Sequence, residues 1–414
     1  MTVKEQAIRA KEAAAPLSTA STDAKNKALA AIATALDNNR VNILTANAKD
    51  VEAAKANGMS SAMLDRLTLT DGRISGMITG IHEVIALDDP VGEFLSMSKR
   101  PNGLQIGQKR VPLGVIAIIY ESRPNVTVDA AVLCLKAGNA VVLRGGKEAF
   151  YSNSALMDTM RLALAGTEIP PDALHLVGDT SRESATALMG LTGLIDVLIP
   201  RGGAGLIRSV VEHAKVPVIE TGVGVCHVYV DETADLPTAA AIVANAKCSR
   251  PSVCNAIETL LVHRSVAAAF LPRVKPLLDK SNVEIRGDAE TKQILGDCVT
   301  AATDADYGTE FLDYILAVKV VADLDEALAH IHQHGSGHSE CIVTESYTSA
   351  QKFLDTVDAA AVYVNASTRF TDGGVFGLGA EIGISTQKMH ARGPMGLREL
   401  TCTKFVIYGN GQVR

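Results

Sequence analysis

The chain has 414 residues, of which 47% are hydrophobic, 21% charged and 4% aromatic, with no Trp and a formal net charge of -7. An acidic balance without a basic face interleaved with aromatics argues against a nucleic-acid partner, whose phosphates it would repel. No apolar run approaches the roughly 18 residues of a membrane span, and the N-terminal Met1-Thr-Val-Lys-Glu-Gln carries no apolar signal region. Seven scattered cysteines without a CxxC pair argue against a disulfide framework or a cysteine zinc site, and for a reducing cytoplasm.

The first hundred residues read as helical. Leu29, Ile32, Ala33 and Leu36 recur at helical spacing behind the capping residues Ser21 and Thr22, and Ile74, Met77, Ile78 and Ile81 repeat the pattern after Thr70. The stretch 94–109, centred on Pro101-Asn102-Gly103, predicts a hairpin turning at Asn-Gly. From Val115 the texture changes to short apolar strands, expected at 115–120, 140–143, 174–177, 195–199, 216–219 and 225–230. Helical runs at 151–165, 182–189 and 204–214 separate them, the alternation of a parallel sheet covered on both faces. A second set of strands is expected at 259–262, 315–321, 341–343 and 361–364. Two α/β units with an active site between them is the economical architecture. Residues 404–408 read as one more strand, pairing with the hairpin near residue 100 or reaching a neighbouring subunit.

The segment 246–256 places Cys254 between a helix-like run, 236–247, and a strand-like run, 258–263. A thiol at such a junction is expected near backbone N–H groups and a cation, Lys247 or Arg250, which favour the reactive thiolate. A lone cysteine is more often a small buried hydrophobe, so the flanking elements make the case. Two strand ends carry ligand signals. Arg144 and Lys147 would face a phosphate or ribose, with Gly145 and Gly146 allowing close approach, although a solvated basic turn fits the same residues. Pro200-Arg201-Gly202-Gly203 runs into a helix whose N–H groups suit a pyrophosphate, or is a plain connector. No GxGxxG fingerprint is present. Glu220, at another strand end, reads as a general acid or base, or as a cap. His330, His332, His334 and His338 crowd into nine residues. Only His330 and His334 share a helix face and no third ligand is legible, so no metal is expected. The tract reads instead as a helix end and loop meeting an anionic substrate or a subunit interface. The stretch 371–384 holds five glycines and reads as a mobile loop near a ligand.

In order, the segments 112–124, 136–147, 200–203, 220–224, 249–259 and 321–342 resemble the aldehyde dehydrogenase superfamily over essentially the whole chain. The last includes Ala327, His330, Ile331, His334, Gly335, Ser336, His338, Ser339, Glu340 and Ile342. The resemblance is to the branch that reduces an acyl phosphate. It implies an aldehyde dehydrogenase-like α/β fold, with two doubly wound α/β domains plus a small β oligomerisation extension. The implied division is 1–93 with 113–223 for NADP binding, 224–385 for catalysis, and 94–112 with 386–414 for the extension. The implied reaction is NADPH-dependent reduction of L-glutamyl 5-phosphate to L-glutamate 5-semialdehyde with release of phosphate, a step of proline biosynthesis. A homo-oligomer is expected, with the upstream glutamate kinase as a candidate partner. Under the resemblance Cys254 is the nucleophile, Arg144 meets the adenosine ribose, Glu310 holds the nicotinamide ribose, and Glu220 falls where oxidising relatives activate water. Gly145, Gly146, Lys147, Gly202 and Gly203 complete the expected cofactor contacts. Arg123, Arg250, Asn255, His330 and His338 are the expected substrate contacts, assigned by chemistry. Two departures stand out. The superfamily's Pro-Trp-Asn turn is Glu121-Ser122-Arg123-Pro124 here, with Asn125 one step beyond, and a reductase has no use for the water that Glu220 would activate. An NAD(P)-dependent dehydrogenase oxidising a small aldehyde is the alternative enzyme, and a scaffold without chemistry the alternative class.

Overall fold

The computed structural model describes all 414 residues apart from the side chains of residues 61 and 62. Its contacts divide the chain into two units, 1–221 with 377–383 and 395–414, and 222–376 with 384–394.

The first unit opens with five helices, α1 (Val3–Leu17), α2 (Thr22–Asn38), α3 (Arg40–Ala56), α4 (Ser61–Leu67) and α5 (Asp71–Ala86). Ser21 caps α2 through the N–H of Ala24, and Leu29, Ile32, Ala33 and Leu36 form its buried stripe, as their spacing predicts. The hairpin of β1 (Phe94–Lys99) and β2 (Gln105–Pro112) turns at Asn102-Gly103, where Gly103 takes φ +88°. Strand β3 (Val115–Tyr120) leads to α6 (Pro124–Lys136), β4 (Ala140–Arg144), α7 (Phe150–Leu164), β5 (Leu174–Leu176), α8 (Arg182–Met189), β6 (Val197–Arg201) and α9 (Ala204–His213). These strands form a parallel four-stranded sheet in the order β5-β4-β3-β6. Every residue of β3 is buried, because helices cover both faces, so the strand is continuously apolar instead of alternating.

The second unit is a parallel seven-stranded sheet. It runs through β7 (Cys226–Val230), α10 (Leu236–Cys248), β8 (Ile257–His263), α11 (Arg264–Asp279), β9 (Glu284–Gly287), α12 (Ala289–Leu295), β10 (Val299–Ala301), α13 (Asp304–Tyr307), β11 (Ile315–Val321), α14 (Leu324–His334), β12 (Ser339–Val343), α15 (Tyr347–Thr356) and β13 (Ala361–Val364). The strand order is β10-β9-β11-β8-β7-β12-β13. Val228, Val230, Leu260 and Val262 pack on one face with Phe270 and Leu278, whereas Tyr229, Leu261 and Ile342 pack on the other with Phe353. A two-stranded ribbon, β14 (Ile384–Ser385) with β15 (Gly393–Pro394), completes this unit. The last strand, β16 (Thr401–Tyr408), pairs antiparallel with β2, so the open question about the C-terminal strand resolves to the hairpin.

Three strand expectations need correction. Residues 216–219 form only one bridge, Val218 to Leu198, because Pro217 has no N–H to extend the ladder. Strands β9 and β10 were not expected. They are the last two strands at one end of the sheet, are short, and alternate polar with apolar side chains, which leaves little apolar signal. Among the described residues, no helix is long and apolar enough to cross a membrane. The hairpin and β16 expose Phe94, Leu95, Met97, Phe405, Ile407 and Tyr408.

Candidate active site

In the first unit the candidate ligand-binding turns lie together at the carboxyl edge of the four-stranded sheet. The strand order reverses between β3 and β6, and such switch points open a crevice between the turns that follow the two strands. The turn after β3 is tied to both neighbours. The Glu121 carboxylate accepts the N–H of Gly203 at 2.9 Å, at the start of α9. Glu148 accepts both the N–H and the hydroxyl of Ser122, at 2.8 and 2.6 Å, and so holds Ser122 at φ +42°. Gly202 and Gly203 are exposed, and a side chain at Gly202 would run into Glu121. Lys147 is also exposed. The Gly203 amide at the start of α9 is thus taken by Glu121, and the exposed Gly202 and Lys147 remain beside the switch point.

The remaining predicted residues of this unit are placed as follows. Arg144 donates through Nη2 to the carbonyls of Thr180 and Ser181, at 2.6 and 2.9 Å, so its guanidinium is bound to the β5–α8 turn. Gly145 and Gly146 are buried, and a Cβ at Gly145 would strike the Asn153 amide. Arg123 stands at the start of α6. Asn125 turns its amide to Asp129 at 2.9 Å. Glu220 lies in the coil after the Val218 bridge.

In the second unit the chemistry gathers at the opposite kind of edge, where the strands begin. Cys254, Gly224, His338 and Glu310 sit in the segments that enter β8, β7, β12 and β11, four adjacent strands. Cys254 is partly exposed. A Cβ on Gly224 would lie 1.7 Å from the Cys254 carbonyl oxygen and 2.5 Å from its Cα, so only glycine lets the two backbones touch. The N–H of Gly224 donates to Glu310 Oε1 at 2.8 Å. Cys226 donates its thiol to the Cys254 carbonyl at 3.2 Å, and burial pushes the Cys226 thiol pKa well up, keeping it a donor.

The loop ends are pinned by a buried ion pair. Lys247, on the last turn of α10, lies 2.6 Å from Glu258, the second residue of β8, and both are fully buried. Burial raises the Glu258 carboxyl to about 7 against the opposing pull of Lys247. The other Glu258 oxygen accepts the N–H of Leu312 at 3.1 Å. Leu312 has φ +55°, a left-handed conformation that costs a branched residue of order 1 kcal/mol or more and signals a loop held for a purpose. The expected role of Lys247 as a cation for the thiol is therefore corrected: its ammonium belongs to Glu258. Arg250 is exposed in the turn after α10.

Asn255, an expected substrate contact, is buried and bound to the chain itself. Its Nδ2 donates to the Thr371 carbonyl at 2.9 Å, and its backbone carbonyl accepts the Thr368 hydroxyl at 2.7 Å. The Oδ1 of Asn255 accepts Arg369, a residue that sequence reasoning missed because it sits in a short turn with no motif around it. His330 and His334 do share a face of α14, with ring centroids 4.5 Å apart, while His332 points to solvent. His330 is 4% exposed and packs edge-on against Tyr307 and His227, and burial depresses its pKa to about 2, keeping the ring neutral. His227 in turn binds Glu340 at 2.9 Å. His338, fully buried, meets the Ser339 hydroxyl at 2.8 Å and lies 3.7 Å from the Cys226 sulfur.

The model of the aldehyde dehydrogenase family matches residues 1–305. Gamma-glutamyl phosphate reductase of Carboxydothermus hydrogenoformans is 62% identical over 408 residues, covering 99% of this chain and 98% of the relative. The crystal structure of gamma-glutamyl phosphate reductase from Thermotoga maritima superimposes with a TM-score of 0.97 at 51% identity, over 100% of both chains. An acetylating aldehyde dehydrogenase from Geobacillus thermoglucosidasius shares the fold at a TM-score of 0.74 and 18% identity, over 100% of this chain and 97% of that one. The chain belongs to the aldehyde dehydrogenase family.

Two variants test the loop geometry. Gly224→Ala should lower turnover by roughly 100-fold, because the methyl can be housed only by moving the Cys254 backbone; steady-state rates at wild-type level would refute that. Glu258→Gln should cost about 3–5 kcal/mol in urea unfolding by leaving Lys247 charged and unpaired, and the paired change to Leu with Lys247→Met should recover part of it.

Proposed function

We propose that this chain catalyses the NADPH-dependent reduction of L-glutamyl 5-phosphate to L-glutamate 5-semialdehyde, with release of phosphate, in cytoplasmic proline biosynthesis. The observation that carries the reading is the full-length identity to gamma-glutamyl phosphate reductases, together with a partly exposed Cys254 held by Gly224 and Cys226. In this scheme the Cys254 thiolate bonds to the acyl carbon while the carbon–oxygen bond to phosphate breaks, and phosphate leaves with the electron pair and takes up a proton. The developing oxyanion is met by the Cys254 backbone N–H; such a donor is typically worth roughly a hundred- to a thousandfold in rate. The nicotinamide cofactor, when bound, supplies the hydride that converts the thioester to the aldehyde and frees the thiolate. Gly202, Lys147 and the amides that follow Gly203 would hold its phosphates and Glu310 its nicotinamide ribose, the Gly203 N–H itself being taken by Glu121. Since the Arg144 guanidinium is bound to backbone carbonyls, the preference for a 2′-phosphate rests mainly on Lys147. Arg123 and Arg250 are the proposed contacts for substrate anions. Glu220 has no step in this scheme, because a thioester destined for reduction must be kept from water.

Run in reverse, the wild type should oxidise L-glutamate 5-semialdehyde with NADP⁺ only when inorganic phosphate is present. A phosphate-independent oxidation yielding free acid would identify an ordinary aldehyde dehydrogenase instead. Cys254→Ser should keep cofactor binding and lose turnover.

The exposed apolar side chains of the β1-β2-β16 sheet, Phe405 and Ile407 on one face and Phe94, Met97 and Tyr408 on the other, support assembly of a homo-oligomer through this extension. Phe405→Glu should shift the elution volume in size-exclusion chromatography toward the monomer; unchanged elution of an oligomeric wild type would move the interface elsewhere.

A further inference from the structure

Arg369 lies in the single turn Thr368–Phe370, remote in sequence from the nucleophile. Its Nε donates to the Ser249 hydroxyl at 3.0 Å, and its Nη1 donates to Asn255 Oδ1. The Asn255 amide returns a bond to the Arg369 carbonyl at 3.3 Å. One guanidinium is thus fastened to both flanks of the turn that carries Cys254, five residues after Ser249 and one before Asn255 in the chain.

The charge on Arg369 is poorly compensated. Burial lowers its basicity first, the Arg250 guanidinium lowers it further, and Asp372 and Cys254 oppose them. Asp372 is exposed, and its Oδ1 already accepts the N–H groups of Gly374 and Val375, at 2.9 and 3.2 Å. Two guanidiniums kept near one nucleophile repel each other until an anion joins them. A guanidinium presents its N–H groups as a planar fork that matches the oxygens of phosphate.

We propose that Arg369, together with Arg250, seats the phosphate group of the acyl phosphate beside Cys254. This rests on the acyl-phosphate reading given above. Tetrahedral phosphate leaves from this seat in the reductive direction and enters it in the reverse one. The substrate carboxylate is the other anion that the same fork would accept, so the test must separate the two.

The reverse reaction does so, because phosphate and semialdehyde are then separate substrates. A wild type that needs no phosphate would sink the functional reading itself before any variant is made. Given a phosphate-dependent wild type, Arg369→Ala should raise KM for inorganic phosphate by about tenfold or more and leave KM for the semialdehyde within about twofold. Arg369→Lys, which keeps the charge and loses the fork, should fall between them. A rise in the semialdehyde KM alone would assign the residue to the carboxylate and overturn the proposal. So would a loss of kcat with both KM values unchanged, the signature of a purely structural brace. Retained binding of NADPH in each variant shows that the fold survives.

Discussion

Lys247 and Glu258 are eleven residues apart in the chain and 2.6 Å apart in space, and both are fully buried. A buried ion pair of this kind is weak as a source of stability, because desolvation offsets most of the attraction. Its value here is positional. One end lies on the last turn of α10 and the other on β8, so the pair sets the span of the loop that carries Cys254. The second oxygen of Glu258 holds Leu312 in a left-handed turn, two residues after Glu310, and Glu310 takes the N–H of Gly224. Gly224 lies directly against Cys254. The constraint therefore closes on the loop whose span the ion pair sets.

The first unit uses the same device with different chemistry. Glu121 and Glu148 tie together the turns that follow β3, β4 and β6, and Ser122 takes a positive φ between them. Carboxylates bound to backbone N–H groups fix those turns without adding apolar bulk, which leaves the edge polar and open. The cost is that Glu121 itself sits at the start of α9, where an anion would otherwise find the N–H of Gly203. A phosphate at this edge must use the neighbouring amides and the exposed Lys147.

The histidine tract shows how a conspicuous motif can serve the interior. His330 and His334 stack on one face of α14, His227 and Glu340 pair beneath them, and His338 meets the thiol that braces the Cys254 carbonyl. These rings pack at the entrance edge of the sheet, next to the segment that carries Cys254. Arg369, by contrast, carries no motif, yet it touches both sides of the turn that carries Cys254.

Much of the architecture was legible in the chain. Continuous apolar runs such as 115–120 mark strands buried on both faces, Asn102-Gly103 marks a hairpin, and the flanking helix and strand mark Cys254 as a nucleophile candidate. Periodicity reports local geometry and burial, so it carried these elements and failed on the short, half-polar strands β9 and β10. The partner of Lys247, the bond that turns Arg144 onto the Thr180 and Ser181 carbonyls, and the enclosure of His330 were decided by the tertiary structure alone. Each depends on residues that are distant in sequence, or on which side of a loop a long side chain falls, and composition and spacing do not encode either. The sequence by itself determined most of the elements and singled out the candidate sulfur; packing decided which charges are consumed in holding the loops, because their partners are distant in the chain.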